Sequence, residues 1–226
     1  LSRGYAVVSV NYRLSREAVF PAAIYDIKAA VRFLRANAQH YHLKASRMAA
    51  WGDSAGGNLA ALLGTSAGVE ALENRAMGNA AQPSDVQAVV DFYGPTDFAA
   101  MDDQFEQAGI TQHVKHGSKD SSESRYMGFA VSSYPDKAKL ADPTGYISSH
   151  TCPFFIENGT ADPVVPAQQH VDLTMALKKV VGTGNVTHMV LYGAGHGGPQ
   201  FEDPANLDRV FTFLDRNLKY TASTMP

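Results

Sequence analysis

This sequence predicts an α/β fold with a mostly parallel sheet and flanking helices, on two patterns. Short, charge-free runs rich in β-branched and aromatic residues recur along the chain, as in strands buried on both faces of a parallel sheet. Between them lie segments with apolar residues three and four apart, the period of amphipathic helices. The two patterns alternate, and 226 residues with 45% hydrophobic content suffice for one domain with a real core.

The first run, residues 5–12 (YAVVSVNY), reads as a strand. Pro21 then opens a helix in which Ile24, Ile27, Val31 and Leu34 form one apolar face, with Lys28, Arg32 and Arg35 falling between them. Residues 47–51 predict a second strand, and residues 58–63 (NLAALL) a helix leaving the turn that follows it. A third strand at 86–93 and a fourth at 153–158 precede a helix over 167–181, where Lys178 and Lys179 suit the C-terminal end and Gly182 stops it. Residues 186–192 predict the fifth strand, and Leu207, Val210, Phe211, Leu214 and Leu218 mark a final amphipathic helix.

Two stretches break the alternation. Residues 65–85, small and polar, predict a surface loop. Residues 98–150 lack a clear strand but carry Met101, Phe105, Tyr126, Met127, Phe129 and Tyr134, which suits helices over the sheet end, a candidate cap or insert. The plainer alternative is an ordinary crossover with extra helices.

Charge and composition narrow the partners. The formal net charge is −3, and no Lys/Arg run is long enough to track a phosphate backbone or an anionic membrane, so no nucleic acid is expected. No stretch approaches the roughly 18 apolar residues that would span a bilayer, so no membrane insertion is expected either. Cys152 stands alone, beside Pro153, and reads as a buried structural thiol that slightly favours a reducing compartment, the cytoplasm. The sequence begins at Leu1 rather than Met, so a signal peptide would lie outside it.

The chemistry centres on Gly52-Asp53-Ser54-Ala55-Gly56, between a predicted strand and a predicted helix. A Gly-x-Ser-x-Gly turn in that setting strains the serine backbone and exposes its hydroxyl, and Gly52 and Gly56 are read as removing side chains that would collide there. Ala55 opens the helix and offers its N–H to a developing oxyanion, while Gly57 permits close backbone packing.

A serine nucleophile needs a general base and an acid to orient it. Of eight histidines, His196 fits, in the glycine-flanked loop Gly193-Ala194-Gly195-His196-Gly197-Gly198 after the last strand. Asp162 follows the fourth strand and gives the chain order Ser, Asp, His. Asp97, after the third strand, competes, although a capping role explains it without catalysis. His113 and His116 share a helical spacing but lack carboxylate or thiolate partners in sequence, so they read as solvated, like His40 and His42, and no metal or cofactor is expected.

Asn11-Tyr12-Arg13-Leu14, Phe20-Pro21-Ala22-Ala23, Asp26 and the run from Gly52 to Ala60 together resemble the hormone-sensitive-lipase-like group of α/β-hydrolase esterases. The segments Asn158-Gly159-Thr160-Ala161-Asp162-Pro163 and Gly193-Ala194-Gly195-His196-Gly197 resemble the acid and histidine segments of its small carboxylesterase and feruloyl or acetylxylan esterase-like members. The resemblance implies a serine carboxylesterase acting on small esters (short-chain acyl, phenolic or carbohydrate), with Ser54, Asp162 and His196 as its triad. An arylformamidase or amidase of the same fold is the enzymatic alternative.

The resemblance also implies a His-Gly-Gly loop ahead of the Asn-Tyr-Arg-Leu strand, whose N–H groups complete the oxyanion hole. His196-Gly197-Gly198 cannot serve, because it follows the last strand. A central strand is then expected to be missing between residues 5–12 and 47–51, leaving backbone groups without partners. The expectation is a part of a longer protein, or a chain that closes its sheet by direct pairing or as a homo-oligomer. A catalytically crippled hydrolase domain kept for binding or assembly is the alternative from another class.

Overall fold

The computed structural model describes residues 2–219. Four parallel strands form one sheet in the order β1 (Ala49–Asp53), β2 (Ala88–Phe92), β3 (Phe154–Gly159), β4 (Val186–Leu191). The register sets Gly52 beside Asp91, Asp91 beside Ile156, and Ile156 beside His188, so all four C-terminal strand ends share one edge. The α/β class holds.

Helices cover both faces of the sheet centre, where β2 and β3 are buried along their whole length. On one side α1 (Ala22–Ala36), α2 (Ala55–Thr65) and α6 (Gln168–Val181) bury Ile24, Leu62 and Leu173 against Val89, Phe154 and Ile156. On the other, Phe201 of α7 (Pro199–Glu202) and Val210 and Leu214 of α8 (Pro204–Leu218) join Ala88, Val90 and Phe155 in one core. Asp203 caps α8 by accepting the Ala205 and Asn206 N–H groups, Pro204 supplies its first turn, and Gly182 at φ +84° ends α6. No helix among the described residues is long and apolar enough to cross a membrane.

Residues 98–150 form α3 (Met101–Gln107), α4 (Ser122–Met127), α5 (Pro135–Ala138) and several 3₁₀ turns around a core of their own, including Met101, Met127, Val131 and Ala141. Val165, three residues after Asp162, belongs to that core, and Asn58 of α2 donates to the Ala141 carbonyl at 3.2 Å. The segment therefore sits against the strand ends rather than crossing remote from them.

Three expectations need correction. Residues 5–12 form no strand, and Val7 is 78% exposed. A strand exists only where a neighbouring backbone exchanges ladder hydrogen bonds with it, and the sheet of the described residues holds β1 to β4 alone, with β1 at its edge.

Lys28, Arg32 and Arg35 are not on a wet face of α1; all three are buried. They satisfy the loop that follows α2. Lys28 donates to the Ser66 carbonyl at 2.7 Å, Arg32 to the Asn74 carbonyl at 2.8 Å and to Glu73 at 2.7 Å, and Arg35 to the Pro83 carbonyl at 2.8 Å. Residues 65–85 are thus a clamped loop with Leu72 in the core, while Ile27 and Leu34 are only half-buried.

His113 and His116 are likewise not solvated. Their rings stack on buried Phe105, at 4.4 and 6.1 Å between centroids, and carboxylates stand nearby, Asp102 by His113 and Glu123 by His116. His40 and His42 are exposed, and Cys152 is a buried free thiol, its pKa pushed up to about 12 by burial.

Candidate active site

Ser54 occupies the single residue between β1 and α2 with φ +53° and ψ −119°, a conformation rare for a non-glycine residue and suited to a tight strand-to-helix turn. Its N–H donates to the Phe92 carbonyl at 2.9 Å, which ties the turn to the end of β2. A Cβ on Gly52 would stand 2.1 Å from the Gly56 carbonyl oxygen, so glycine is required there. Gly56 differs from expectation, since a Cβ on it would meet nothing within 4 Å. Gly57 does allow close packing, because its Cβ would stand 2.3 Å from Asp91 Oδ1 and 2.9 Å from Gly94 Cα. Ala55 is the exposed first residue of α2, where helix geometry leaves the N–H without an intrahelical acceptor.

Ser54, His196 and Asp162 lie in one hydrogen-bonded row along the strand-end edge. His196 Nε2 is 2.7 Å from Ser54 Oγ, and His196 Nδ1 is 2.8 Å from Asp162 Oδ2. An ionised carboxylate only accepts, so Nδ1 carries the proton and Nε2 is left to accept from the serine hydroxyl. The other Asp162 oxygen accepts the N–H groups of Val164 at 2.8 Å and Val165 at 2.9 Å, so the buried carboxylate has a fixed orientation. Asp97 lies apart from this row and accepts the Ala99 N–H at 3.0 Å, a local turn bond.

Several polar residues beneath this edge escape sequence reasoning. Asp91 on β2 is fully buried; its Oδ1 accepts the Gly94 N–H at 3.0 Å, its Oδ2 has no hydrogen-bond partner, and burial raises its pKa to about 7. Glu157 on β3, on the α8 side, is also raised by burial to about 7 and accepts from Asn206 at 2.8 Å. His170 on α6 is fully buried with neither ring nitrogen hydrogen-bonded, and burial depresses its pKa to about 3. Tyr93 follows β2 at φ +43° and sets its ring against that of His196, 4.8 Å between centroids. Glu157 and Tyr93 lay hidden because their partners Asn206 and His196 come from distant elements, and Asp91 and His170 because burial without a partner has no local sequence signal. Among the described residues no group of three or more His, Cys, Asp or Glu is arranged to hold a metal ion.

A model of the BD-FAE family matches residues 1–177, more than half of the chain. The chain belongs to the BD-FAE family. His196 lies beyond the matched stretch of this BD-FAE chain. Among relatives, the chain is similar to Esterase LipQ of Mycobacterium tuberculosis, 32% identical over 193 residues, which is 85% of this chain and 42% of that protein. It is also similar to Esterase LipC of the same organism, 28% identical over 87% of this chain and 46% of that protein. The chain therefore spans less than half the length of these two relatives. Among solved structures, a bifunctional GH43-CE protein of Bacteroides eggerthii superposes with a TM-score of 0.84 at 34% identity, over 96% of this chain and 28% of that one. A truncated carbohydrate esterase from gut microbiota gives 0.83 at 30% identity, over 97% and 76%.

Proposed function

We propose that the chain hydrolyses small carboxylic esters by acyl transfer through Ser54. One observation carries this reading: the row Ser54 Oγ, His196 and Asp162, with both bonds under 3 Å, ends on a serine held at positive φ at the strand-end edge. The names of the relatives, esterases and a carbohydrate esterase, agree with an ester bond as the target.

In this mechanism His196 Nε2 takes the proton of Ser54 as Oγ attacks the carbonyl carbon, and Asp162 holds the imidazolium that forms. The Ala55 N–H, backed by the N-terminus of α2, donates to the oxyanion. His196 returns the proton to the departing alcohol, and water, deprotonated by the same nitrogen, releases the acid and regenerates Ser54.

The second oxyanion donor belongs, in this reading, to backbone that fills the open edge of β1, supplied by a longer form of the protein or by a second copy of the chain. Among the described residues no strand pairs with the outer edge of β1, which supports it. Loss of one such donor lowers turnover by roughly 100- to 1,000-fold, so residues 1–226 alone are expected to label better than they turn over.

The substrate class is a short-chain, phenolic or carbohydrate ester. Labelling by a fluorophosphonate probe tests the assignment. Wild type should label at Ser54, Ser54→Ala should not, and labelling that persists in the variant rejects the assignment. Comparing acetyl, butyryl and feruloyl esters with an aryl formamide separates an esterase from an amidase.

A further inference from the structure

We infer that Tyr93 is a positioning residue that holds the imidazole of His196 in its reactive orientation. The inference rests on the ester-hydrolase reading above and adds a part to the same site.

The hydrogen bonds at Nδ1 and Nε2 fix two points of the His196 ring. The ring can still turn about the χ1 and χ2 bonds that join it to the backbone, and a small turn there swings the Nε2 lone pair away from the serine proton. Tyr93 closes off that motion. Its ring meets the imidazole at 63° with 4.8 Å between centroids, and Phe201 backs it from another direction at 4.6 Å and 74°. Perpendicular aromatic contacts of this kind are orientation-specific.

The backbone of Tyr93 is over-determined. At φ +43° it is held in a region that side-chain-bearing residues rarely adopt, and such strain persists only where neighbours enforce it. Its N–H donates to the Glu157 carbonyl at 2.7 Å, and the Asp91 carboxyl accepts the N–H of Gly94, the next residue, at 3.0 Å. Substitution at Gly94 is closed off, since a Cβ there would stand 2.5 Å from both Asn58 N and Asp91 Oδ1. The preceding residue, Phe92, accepts the N–H of Ser54. The end of β2 thus mounts both reacting groups, the nucleophile through the Phe92 carbonyl and the base through the Tyr93 ring.

The ring, not the hydroxyl, performs this task. The hydroxyl stays protonated at neutral pH, its pKa raised first by burial and then by the carboxylates of Asp53, Asp162 and Glu202. Tyr93→Phe should therefore keep function, while Tyr93→Leu keeps only a smaller apolar side chain and loses the planar wall.

The test compares wild type, Y93F and Y93L for fluorophosphonate labelling and p-nitrophenyl acetate hydrolysis across pH, with circular dichroism to verify folding. Y93F is expected within about twofold of wild type, and Y93L to lose about tenfold or more in labelling rate and kcat with KM within about threefold, because small misplacements of a reacting group are costly. A folded Y93L with wild-type rate and profile overturns the inference, as does a Y93F that fails like Y93L. If Y93L does not fold, Y93M is read by the same criteria. Wild type that does not label at Ser54 rejects the ester-hydrolase reading, and this inference with it.

Discussion

The carboxyl of Asp91 accepts the N–H of Gly94 at 3.0 Å while its second oxygen, buried, has no hydrogen-bond partner. Burial raises its pKa to about 7, so the folded protein holds a proton that the unfolded chain releases near the ordinary carboxylate value. The stability this group contributes is complete below about pH 4 and is lost as pH rises through about 7. Asp91→Asn cannot lose it. Urea unfolding at pH 4 and pH 8 should show the difference between variant and wild type moving in favour of the variant by on the order of 4 kcal/mol. A difference independent of pH would show that Asp91 does not hold its proton.

Asp162→Asn tests the acid. The amide oxygen of the variant can keep the two bonds from Val164 and Val165, which leaves its NH₂ facing His196 Nδ1. That reverses the tautomer: Nδ1 must accept, Nε2 carries the proton, and no base faces Ser54. Ester hydrolysis and labelling should fall on the order of 1,000-fold or more with the fold intact. Asp97→Asn, which alters only the turn bond to Ala99, should retain most activity. The opposite ranking would make Asp97 the acid.

The contrast between these two aspartates marks how far sequence reasoning reaches. Ser54, Asp162 and His196 could be placed at one edge because each directly follows a predicted strand, and in a parallel sheet those ends coincide. The four strands and the helices around them were legible for the same reason: their signals are periodic and local. Residues 5–12 have the same local signal and no strand, because pairing is a property of two segments. Lys28 and Arg32 carry the signal of a solvated face, yet their partners arrive from a loop about 40 residues downstream. The strained backbone of Tyr93 and the buried carboxyl of Asp91 were invisible because positive φ and an unpartnered buried oxygen leave no mark on composition.

Glu73 joins two of those buried cations, with Lys28 at 3.3 Å and Arg32 at 2.7 Å. Removing one member of a buried ionic cluster leaves the others desolvated and unpaired, at a cost of about 3–5 kcal/mol. Glu73→Ala should therefore lower the urea midpoint strongly and open residues 66–85 to proteolysis. An unchanged midpoint would mean that the carbonyls of Ser66, Asn74 and Gly78 suffice for the two cations.

His170 opposes Asp91. Burial first, then the neighbouring His188 and His196, depress its pKa to about 3, against the partial support of Asp162. The folded protein therefore refuses a proton that the unfolded chain accepts near its ordinary value. That stability is complete above about pH 6.5 and is lost as pH falls towards about 3. Asp91 and Glu157, both raised to about 7, tilt stability the other way over an overlapping range. The wild-type profile between pH 4 and 7 should therefore be a partial cancellation whose components single substitutions expose. Relative to wild type, His170→Leu should gain stability as pH falls from 7 to 4, whereas Asp91→Asn should gain it as pH rises. A His170→Leu curve parallel to that of wild type would mean that His170 takes up its proton equally in the folded and unfolded states.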